Sequence, residues 1–316
     1  MAVTEQAIMA ALQGVVDTNT GKDFVSSKCI RNISVGDGDV SFDVELGYPA
    51  KSQIPEFRKA LVAAAKSVSG VSNVSVNITS KVLAHAVQRG VQLLPNVKNV
   101  VAVASGKGGV GKSTTAVNLA LALAAEGASV GILDADIYGP SVPMMMGIDG
   151  RPESDDGKTM EPLENYGVQV MSIGFLVAQD EAMIWRGPMA TQALEQLLRQ
   201  TNWKDLDYLI VDMPPGTGDI QLTLSQRVPM TGAVVVTTPQ DIALLDAKKG
   251  IKMFEKVGVP ILGIVENMAV HVCSNCGHVE HIFGADGGKK MAAEYGMDYL
   301  GALPLNMQIR LQADSG

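Results

Sequence analysis

The chain has 316 residues, of which 47% are hydrophobic and only 4% aromatic, and its net charge at pH 7 is −8. This length predicts one large domain or two smaller ones, and the acidic balance disfavours general binding to nucleic acid. Three cysteines are too few for a disulfide framework, the amino terminus lacks the pattern of a signal peptide, and no stretch is long enough to span a membrane. We therefore expect a reduced, cytoplasmic protein that binds neither nucleic acid nor membranes.

The first 80 residues predict a small α+β domain. Apolar residues recur at helical spacing in two segments, and three short segments alternate apolar and polar residues as strands do. A Gly-Asp-Gly-Asp run at 36–39 separates the first two strands and is typical of a hairpin turn. The predicted elements are a helix at 8–16, strands at 30–35 and 40–46, a helix at 57–68 and a strand at 74–78. This order predicts an antiparallel or mixed sheet with helices on one face, and residues 81–97 follow as a predicted linker.

Residues 98–316 predict a second, larger domain in which continuous Val/Ile/Leu strands alternate with helices. That alternation is typical of a doubly wound, mostly parallel α/β sheet. The predicted strands lie at 100–104, 130–133, 168–173, 208–211, 233–236 and 261–265, and the predicted helices at 114–125, 191–199 and 244–257. The chain ends in a segment that reads as a strand and turns with no closing helix, so we expect this domain to be truncated at its carboxyl end.

The segment GKGGVGKST, residues 106–114, has the composition and context of a phosphate-binding loop. It follows an apolar strand and opens a helix, so its backbone N–H groups can surround phosphate oxygens at a helix amino terminus. Lys112 is expected to reach the β- and γ-phosphates of ATP, and the Ser113 hydroxyl to ligate Mg²⁺. The predicted loop comprises Gly106, Lys107, Gly108, Gly109, Val110, Gly111, Lys112, Ser113 and Thr114.

A second lysine, Lys107, occupies the second position of this loop. A lysine there cannot easily fold back onto the phosphates of its own chain. In the deviant Walker A class of P-loop NTPases (SIMIBI-like), the corresponding lysine reaches across a dimer to the partner's nucleotide, as an arginine finger does. The alternative is an exposed loop lysine without a role.

Acidic residues end two of the predicted strands. Asp134 and Asp136 follow the strand at 130–133, and Asp212 follows the strand at 208–211. Carboxylates at the carboxyl ends of parallel strands lie beside the phosphate loop, where Asp212 fits a carboxylate on the magnesium side. The alternative for Asp134 and Asp136 is helix capping, a common role of aspartate.

Two later loops offer further nucleotide contacts. The glycines of PPGTGD, Gly216 and Gly218, fit a switch loop whose N–H groups could sense the γ-phosphate. Asn267 ends the strand at 261–265, and its amide has the donor and acceptor edges that adenine requires. A lone asparagine at this position is also common as a turn residue.

Cys273 and Cys276 lie at C-x2-C spacing, which lets two thiolates grip one metal centre. Because zinc and iron–sulfur clusters take about four ligands, the pair is half a site. A second chain could donate the same pair, or His278 and His281 could complete a mixed site within one chain. A thioredoxin-like redox pair is disfavoured by the late position in the chain.

The motifs together resemble the Mrp/ApbC-type iron–sulfur cluster carrier P-loop ATPases, and residues 1–80 resemble the small iron–sulfur assembly domain that precedes the ATPase in bacterial members. The resemblance rests on KGGVGKST, DADIYGPS, WRGPM (185–189), LDYLIVDMPPGTGD (206–219), ENM and C-x2-C-G-H. It implies a homodimer that hydrolyses ATP slowly, holds a [4Fe-4S] cluster between its subunits and delivers it to apo-proteins, with assembly factors as further partners.

The same resemblance assigns roles to residues. It implies that Asp136 orients the attacking water, that Asp134 lies near Mg²⁺ and that Asn267 contacts adenine. Lys107, Lys112 and Asp136 are then the expected catalytic residues, Asp212 and Ser113 belong to the nucleotide and metal site, and Cys273 and Cys276 of each subunit bridge the cluster.

Two rival functions stay open at this point. One is a MinD/ParA-like positioning ATPase, which needs a membrane-binding tail or a basic face that we do not find and would leave the cysteine pair without a use. The other is a zinc-stabilised regulatory NTPase.

Overall fold

The computed structural model describes residues 3–176 and 187–316. Two residues of the WRGPM motif, Trp185 and Arg186, therefore lie outside the described part of the chain. Residue contacts divide the chain into two compact units, Met1–Leu83 with Ala125–Ala128, and Ala84–Ala124 with Ser129–Gly316. No helix among the described residues combines the length and apolarity that crossing a membrane requires.

The first unit contains a mixed three-stranded sheet and two main helices. The elements are α1 Glu5–Leu12, β1 Val16–Asp17, β2 Lys22–Asp23, β3 Ile30–Gly36, β4 Asp39–Leu46, α2 Ile54–Lys66 and β5 Asn73–Ser80. Strand β4 pairs antiparallel with β3 and parallel with β5, as the α-β-β-α-β order allows. Alternate residues of β4 are buried against the helices, so the sheet covers one apolar core.

The boundary predicted for the first helix is wrong at its carboxyl end. The helix begins after Thr4, whose hydroxyl accepts a hydrogen bond from Ala7, and it ends at Leu12. Val16, placed in this helix by its apolar character, instead pairs with Asp23 in a short hairpin of β1 and β2. Helical spacing alone cannot exclude such a strand, because a single apolar residue at the end of a segment fits the period of a helix and that of a strand equally well.

The second unit is built on an eight-stranded sheet of order β15-β12-β11-β6-β10-β7-β9-β8. The sheet strands are β6 Val97–Ala104, β7 Val130–Asp134, β8 Leu163–Asn165, β9 Val168–Ser172, β10 Leu206–Asp212, β11 Gly232–Thr237, β12 Ile261–Glu266 and β15 Tyr299–Ala302; β13 His271–Val272 and β14 Val279–Glu280 form a separate hairpin. The helices are α3 Lys112–Ala125, α4 Val142–Met145, α5 Gly187–Gln200, α6 Asp219–Arg227, α7 Asp241–Lys256, α8 Gly287–Tyr295 and α9 Met307–Ser315, with a 3-10 turn at Ile173–Phe175.

All pairings in this sheet are parallel except that of β8 with β9. From β6 the chain places β7, β8 and β9 on one side and, after β10, places β11, β12 and β15 on the other, so the doubly wound α/β fold predicted from the sequence is confirmed. Strand β10 lies between β6 and β7, and its register sets Asp212 opposite both Val103 and Asp134. The carboxyl ends of these three strands therefore meet at one edge of the sheet.

The expectation that the chain ends without a closing helix is wrong. Residues Met307–Ser315 form α9, and the Asn306 side chain caps its first turn by accepting a hydrogen bond from the Gln308 N–H at 2.7 Å. Apolar periodicity could not find this helix because none of its residues is buried. Helices α6 and α8 were missed as well, since each is nine residues long and carries few apolar positions.

Candidate functional site

The loop between β6 and α3 is shaped by glycines at positions that exclude a side chain. Gly109 and Gly111 both have φ of +83°, a conformation that favours glycine. A β-carbon on Gly111 would overlap the Asn267 amide, and one on Gly106 would overlap the backbone of Asp246 in α7. The sequence therefore places glycine where the loop passes closest to other segments, and the loop N–H groups stay free of side-chain bulk.

Lys112, the first residue of α3, lies among the acidic residues predicted for this site. Its ammonium is 2.5 Å from Oδ1 of Asp212 and 3.6 Å from Oδ2 of Asp136, and it lies 3.2 Å from Oγ of Ser113. Only 6% of the lysine side chain is exposed, so these contacts are formed away from bulk water. The structure thus brings together four of the residues that the sequence assigned to the nucleotide site.

Burial dominates the electrostatics of the three carboxylates. Burial and, after it, the neighbouring Asp212 carboxylate together raise the pKa of Asp134 to about 7, against opposing hydrogen bonds and the Lys112 ammonium. Burial also raises the pKa of Asp212 and of Asp136, and in both cases the Lys112 ammonium opposes it. Carboxylates with perturbed pKa values that gather at one edge of a sheet are typical of functional sites.

One oxygen at this site lacks a hydrogen-bond partner. Oδ2 of Asp212 is buried and unpaired among the described residues, while Oδ1 of the same group binds Lys112. A buried carboxylate oxygen with no donor is costly unless a cation approaches it. The Ser113 hydroxyl lies beside the same lysine, so a carboxylate and a hydroxyl oxygen, both ligands that Mg²⁺ accepts, are available together.

Asp134 makes contacts that differ from those of the other two carboxylates. Its Oδ1 accepts a hydrogen bond from the Asp136 N–H at 3.1 Å, and its Oδ2 accepts from the Val142 N–H at 3.2 Å and from the Ser172 hydroxyl at 3.1 Å. The side chain is completely buried. Asp134 therefore holds the backbone of Asp136 and the first turn of α4, as the capping alternative anticipated in part.

Lys107 and the glycines of the predicted switch loop are more exposed than Lys112. Lys107 is half-buried, and among the described residues no ion pair involves its ammonium. The Gly216 N–H, a predicted γ-phosphate sensor, donates to the Ser105 carbonyl at 2.9 Å in this structure. Gly218, the other predicted sensor, is the residue that caps the amino terminus of α6.

Asn267 follows β12 and contacts the phosphate loop directly. Its amide nitrogen donates to the Val110 carbonyl at 2.8 Å, and its backbone N–H donates to the Thr237 carbonyl at 2.7 Å. The residue is 8% exposed. Asn267, the candidate adenine contact, thus also stabilises the phosphate loop.

The cysteine pair lies on the hairpin formed by β13 and β14. The Cys273 N–H donates to the His278 carbonyl, and the Gly277 N–H returns to the Cys273 carbonyl, each at 2.9 Å. Backbone N–H groups of Cys276 and Asn275 donate to the Cys273 sulfur and lower the pKa of that thiol. Such N–H contacts stabilise thiolate, which is the form that ligates metal.

The mixed one-chain metal site does not form in the described part of the chain. There, no group of three or more His, Cys, Asp or Glu side chains gathers in a metal-binding arrangement. The Nε2 of His278 approaches Glu280 at 3.7 Å, and the His281 ring bonds a backbone carbonyl instead. Cys29, the third cysteine, is partly buried against the core of the first unit, where burial raises the pKa of its thiol.

Comparison with known families decides which NTPase class this arrangement represents. Residues 96–316 match the family described as NUBPL iron-transfer P-loop NTPase, and residues 5–78 match the family described as iron-sulfur cluster assembly protein. The chain belongs to the iron-transfer P-loop NTPase family. The family resemblance predicted from the sequence motifs is thereby confirmed.

Individual relatives agree with this assignment. An iron-sulfur cluster carrier protein of Pseudomonas fragi is 62% identical over 258 residues, which are 81% of this chain and 90% of that protein. The corresponding protein of Escherichia coli K12 is 53% identical over 290 residues, or 92% of this chain and 79% of that one. A solved nucleotide-binding protein of Archaeoglobus fulgidus, in complex with ADP, is 38% identical with a TM-score of 0.62, and the match covers 69% of this chain and 86% of that one.

Two features of this iron-transfer NTPase escaped the sequence analysis. Ser172, which binds Asp134, ends β9 opposite that residue in the sheet register. Polar residues at the carboxyl ends of parallel strands share one edge of the sheet, and that expectation, applied to β9, could have found Ser172. The segment at 303–306 returns beside Asn267, because Leu303 bonds the backbone of both Glu266 and Ala269. No sequence signal marks that return.

Proposed function

We propose that this protein is an ATP-hydrolysing iron–sulfur cluster carrier that works as a homodimer. The observation that carries the proposal is the presence, in one folding unit, of a phosphate loop with buried acidic partners and of a cysteine pair, with Cys273 half-buried and Cys276 exposed, that lacks further ligands among the described residues. The names of its relatives and of its family support the carrier function over that of a positioning ATPase, in which the cysteine hairpin would be idle.

The nucleotide side of the proposal assigns a role to each residue of the site. Lys112 exchanges its carboxylate partners for the β- and γ-phosphates of ATP, and the nine loop residues surround the phosphates with N–H groups. Ser113 and the unpaired oxygen of Asp212 are the groups that would hold Mg²⁺. With Mg²⁺ held there, the site would gain positive charge to offset that of the phosphates. Asp136 orients the attacking water, with slow hydrolysis as the result.

Dimerisation completes this site in the proposal. The Lys107 ammonium, which has no ion-pair partner in the described part of the chain, reaches the nucleotide of the partner subunit and stabilises charge there. Asn267 contacts adenine through its side-chain amide, which donates to the Val110 carbonyl in this structure. Hydrolysis then depends on the dimer, so nucleotide state and subunit association are linked.

The cysteine side of the proposal concerns the cargo. Cys273 and Cys276 of each subunit supply two thiolates, and two subunits supply the four that a [4Fe-4S] cluster takes. The exposed position of Cys276 fits a cluster that is received from assembly factors and handed to apo-proteins rather than kept. We place the protein in the cytoplasm, where thiols stay reduced, with domain limits at 1–80, 81–97 and 98–316.

Anaerobic reconstitution with iron and sulfide tests the cargo. The parent protein should bind four iron and four sulfide per dimer and show charge-transfer absorption, while Cys273→Ala and Cys276→Ala should bind neither. Cys29→Ala is the matched control and should load like the parent. If the two hairpin variants bind as much iron as the parent, the carrier proposal is wrong.

Metal analysis of protein purified without oxygen separates the remaining candidate, a zinc-stabilised NTPase. The N–H contacts to Cys273 would suit zinc thiolates equally well. Zinc without sulfide, at one ion per subunit or one ion per dimer, would favour that candidate. Iron with equimolar sulfide supports the carrier.

A further inference from the structure

Two imidazoles fasten the cysteine hairpin to the rest of its unit, one near each strand. The Nδ1 of His271 on β13 is 3.2 Å from the Leu305 carbonyl, and the Nδ1 of His281, just after β14, is 2.9 Å from the Ala269 carbonyl. A carbonyl oxygen only accepts, so both Nδ1 atoms carry the proton and donate it.

The two carbonyls belong to segments that are tied to the phosphate loop. Ala269 lies two residues after Asn267, whose amide bonds the Val110 carbonyl of that loop. Met268 between them has φ of +55°, so this short connection is a tight turn and not a slack linker. A displacement of Asn267 is therefore passed to Ala269.

Leu305 is joined to the same turn by backbone bonds. Leu303 donates to the Glu266 carbonyl at 2.9 Å and accepts from the Ala269 N–H at 3.0 Å, and Leu305 donates to the Val270 carbonyl at 2.8 Å. Both anchoring carbonyls thus move with the segment that carries Asn267. The path from the Val110 carbonyl to either imidazole contains only hydrogen bonds and short pieces of backbone.

The hairpin has little else to fix its position. Val272 and Val279 face each other across the hairpin and are 51% and 53% exposed, so no apolar core holds it. A third imidazole on the same hairpin, His278, lies 67% exposed near Glu280 and bonds neither anchoring segment. Among the side chains of the described hairpin, His271 and His281 are thus the histidines that join it to the neighbouring segments.

We propose that His271 and His281 are positioning residues that couple the nucleotide site to the cysteine pair. The inference deepens the proposed function, on which it rests, by naming the connection between ATP and cargo. When a nucleotide engages Asn267, the turn at 267–269 and the segment at 303–306 shift together, and the two imidazoles carry that shift to Cys273 and Cys276. Without the two N–H donors, the hairpin no longer follows the nucleotide state.

The direct test measures thiol alkylation by iodoacetamide in the apoprotein, with and without Mg²⁺ and a non-hydrolysable ATP analogue. In the parent, nucleotide should change the alkylation rate of the hairpin thiols about fivefold or more, a typical size for coupling between two sites. The ratio should fall to about one in a His271→Ala/His281→Ala double variant. His278→Ala is the matched control and should keep the parent ratio.

Conservative variants separate coupling from simple structural support. Asparagine places an amide N–H near the position of the imidazole Nδ1, so His271→Asn/His281→Asn should restore most of the nucleotide-dependent ratio. If the histidines only support the hairpin, the alanine variant alkylates faster in both states and keeps the ratio. Any one of three results overturns the inference: an alanine variant that keeps the parent's nucleotide-dependent ratio, a parent whose ratio is near one, or a His278→Ala variant that loses the ratio to the same extent.

An iron-transfer experiment tests the proposed function separately from the alkylation experiment. With the cluster loaded, the parent should transfer iron to an apo-acceptor at a rate that depends on ATP, and the double alanine variant should bind the same iron but transfer it at one ATP-independent rate. A parent that binds no cluster refutes the proposed function, while the alkylation ratio, measured without metal, still tests whether the histidines couple the two sites.

Discussion

Replacing Lys112 by methionine should destabilise the second unit, and the loss should grow as the pH rises. The variant keeps the length of the side chain but removes the ammonium that lies 2.5 Å from Asp212. Asp212 has no exposed surface, and its second oxygen already lacks a partner among the residues that the structure describes. An ionised carboxylate left in this position is uncompensated, which costs about 3–5 kcal/mol in typical buried pairs.

Protonation of Asp212 sets an upper limit to this loss. Taking up the proton costs about 1.4 kcal/mol for each pH unit above the ordinary aspartate pKa of 3.8. The limit is therefore about 4.5 kcal/mol at pH 7 and about 1.7 kcal/mol at pH 5. Because the folded variant holds a proton that the unfolded chain releases above pH 3.8, its stability falls as the pH rises.

Urea unfolding at pH 5, 7 and 8, with a chelator and without nucleotide, measures this difference. Trp203 is buried in the second unit, and the sequence of the first unit contains no tryptophan, so tryptophan fluorescence does not report on the first unit. Lys107→Met is the matched control and should unfold like the parent at every pH, because no ion pair of Lys107 exists among the described residues. Adding Asp212→Asn to Lys112→Met should recover most of the loss. A loss that is equal at pH 5 and pH 8, or absent at both, would refute the reasoning.

Three further predictions concern the loop, the magnesium site and the last helix. Gly109 and Gly111 share φ of +83°, but a β-carbon on Gly111 overlaps Asn267 whereas one on Gly109 meets nothing within 4 Å. Gly111→Ala should therefore lose at least about 1 kcal/mol more than Gly109→Ala in urea unfolding, and equal losses would contradict this packing. Saturating Mg-ATP at a hundredfold excess over its Kd should stabilise the parent by about 2.7 kcal/mol, or several degrees in Tm, and Asp212→Asn should lose most of that thermal shift; an unchanged shift excludes the carboxylate from the metal site. Asn306→Ala removes the cap of α9 at a cost of about 1 kcal/mol, so amide exchange in α9 should speed up while other helices keep their rates, and unaltered exchange in α9 would show that the cap contributes nothing.

The sheet and the acidic site were predictable because their signals are local. Continuous apolar strands such as β6 and β10 can only be buried on both faces, and a parallel sheet follows from that. Residues at the carboxyl ends of those strands then share one edge, whatever the exact strand order. The meeting of Lys112, Asp136 and Asp212 is a consequence of this geometry.

The hydrogen bonds that hold the cysteine hairpin, and the last helix, were not predictable because no local sequence signal marks them. His271 and His281 bond backbone carbonyls at Leu305 and Ala269, and a carbonyl is available at every residue, so the sequence does not mark the partner. Helix α9 depends on a cap and on exposed residues and leaves no apolar stripe. The role of Asp134 was seen only in part, since its bond to Ser172 depends on strand order.

The cysteine hairpin is a surface insertion between β12 and α8, and its valines contribute nothing to the buried core. In the proposed carrier, mutations within the hairpin would therefore affect metal binding more than folding. The bound metal could then change over evolutionary time, or be redesigned, while the fold of the NTPase domain stays the same. A replacement hairpin would have to keep only the hydrogen bonds to the carbonyls at its base and the residues that make them.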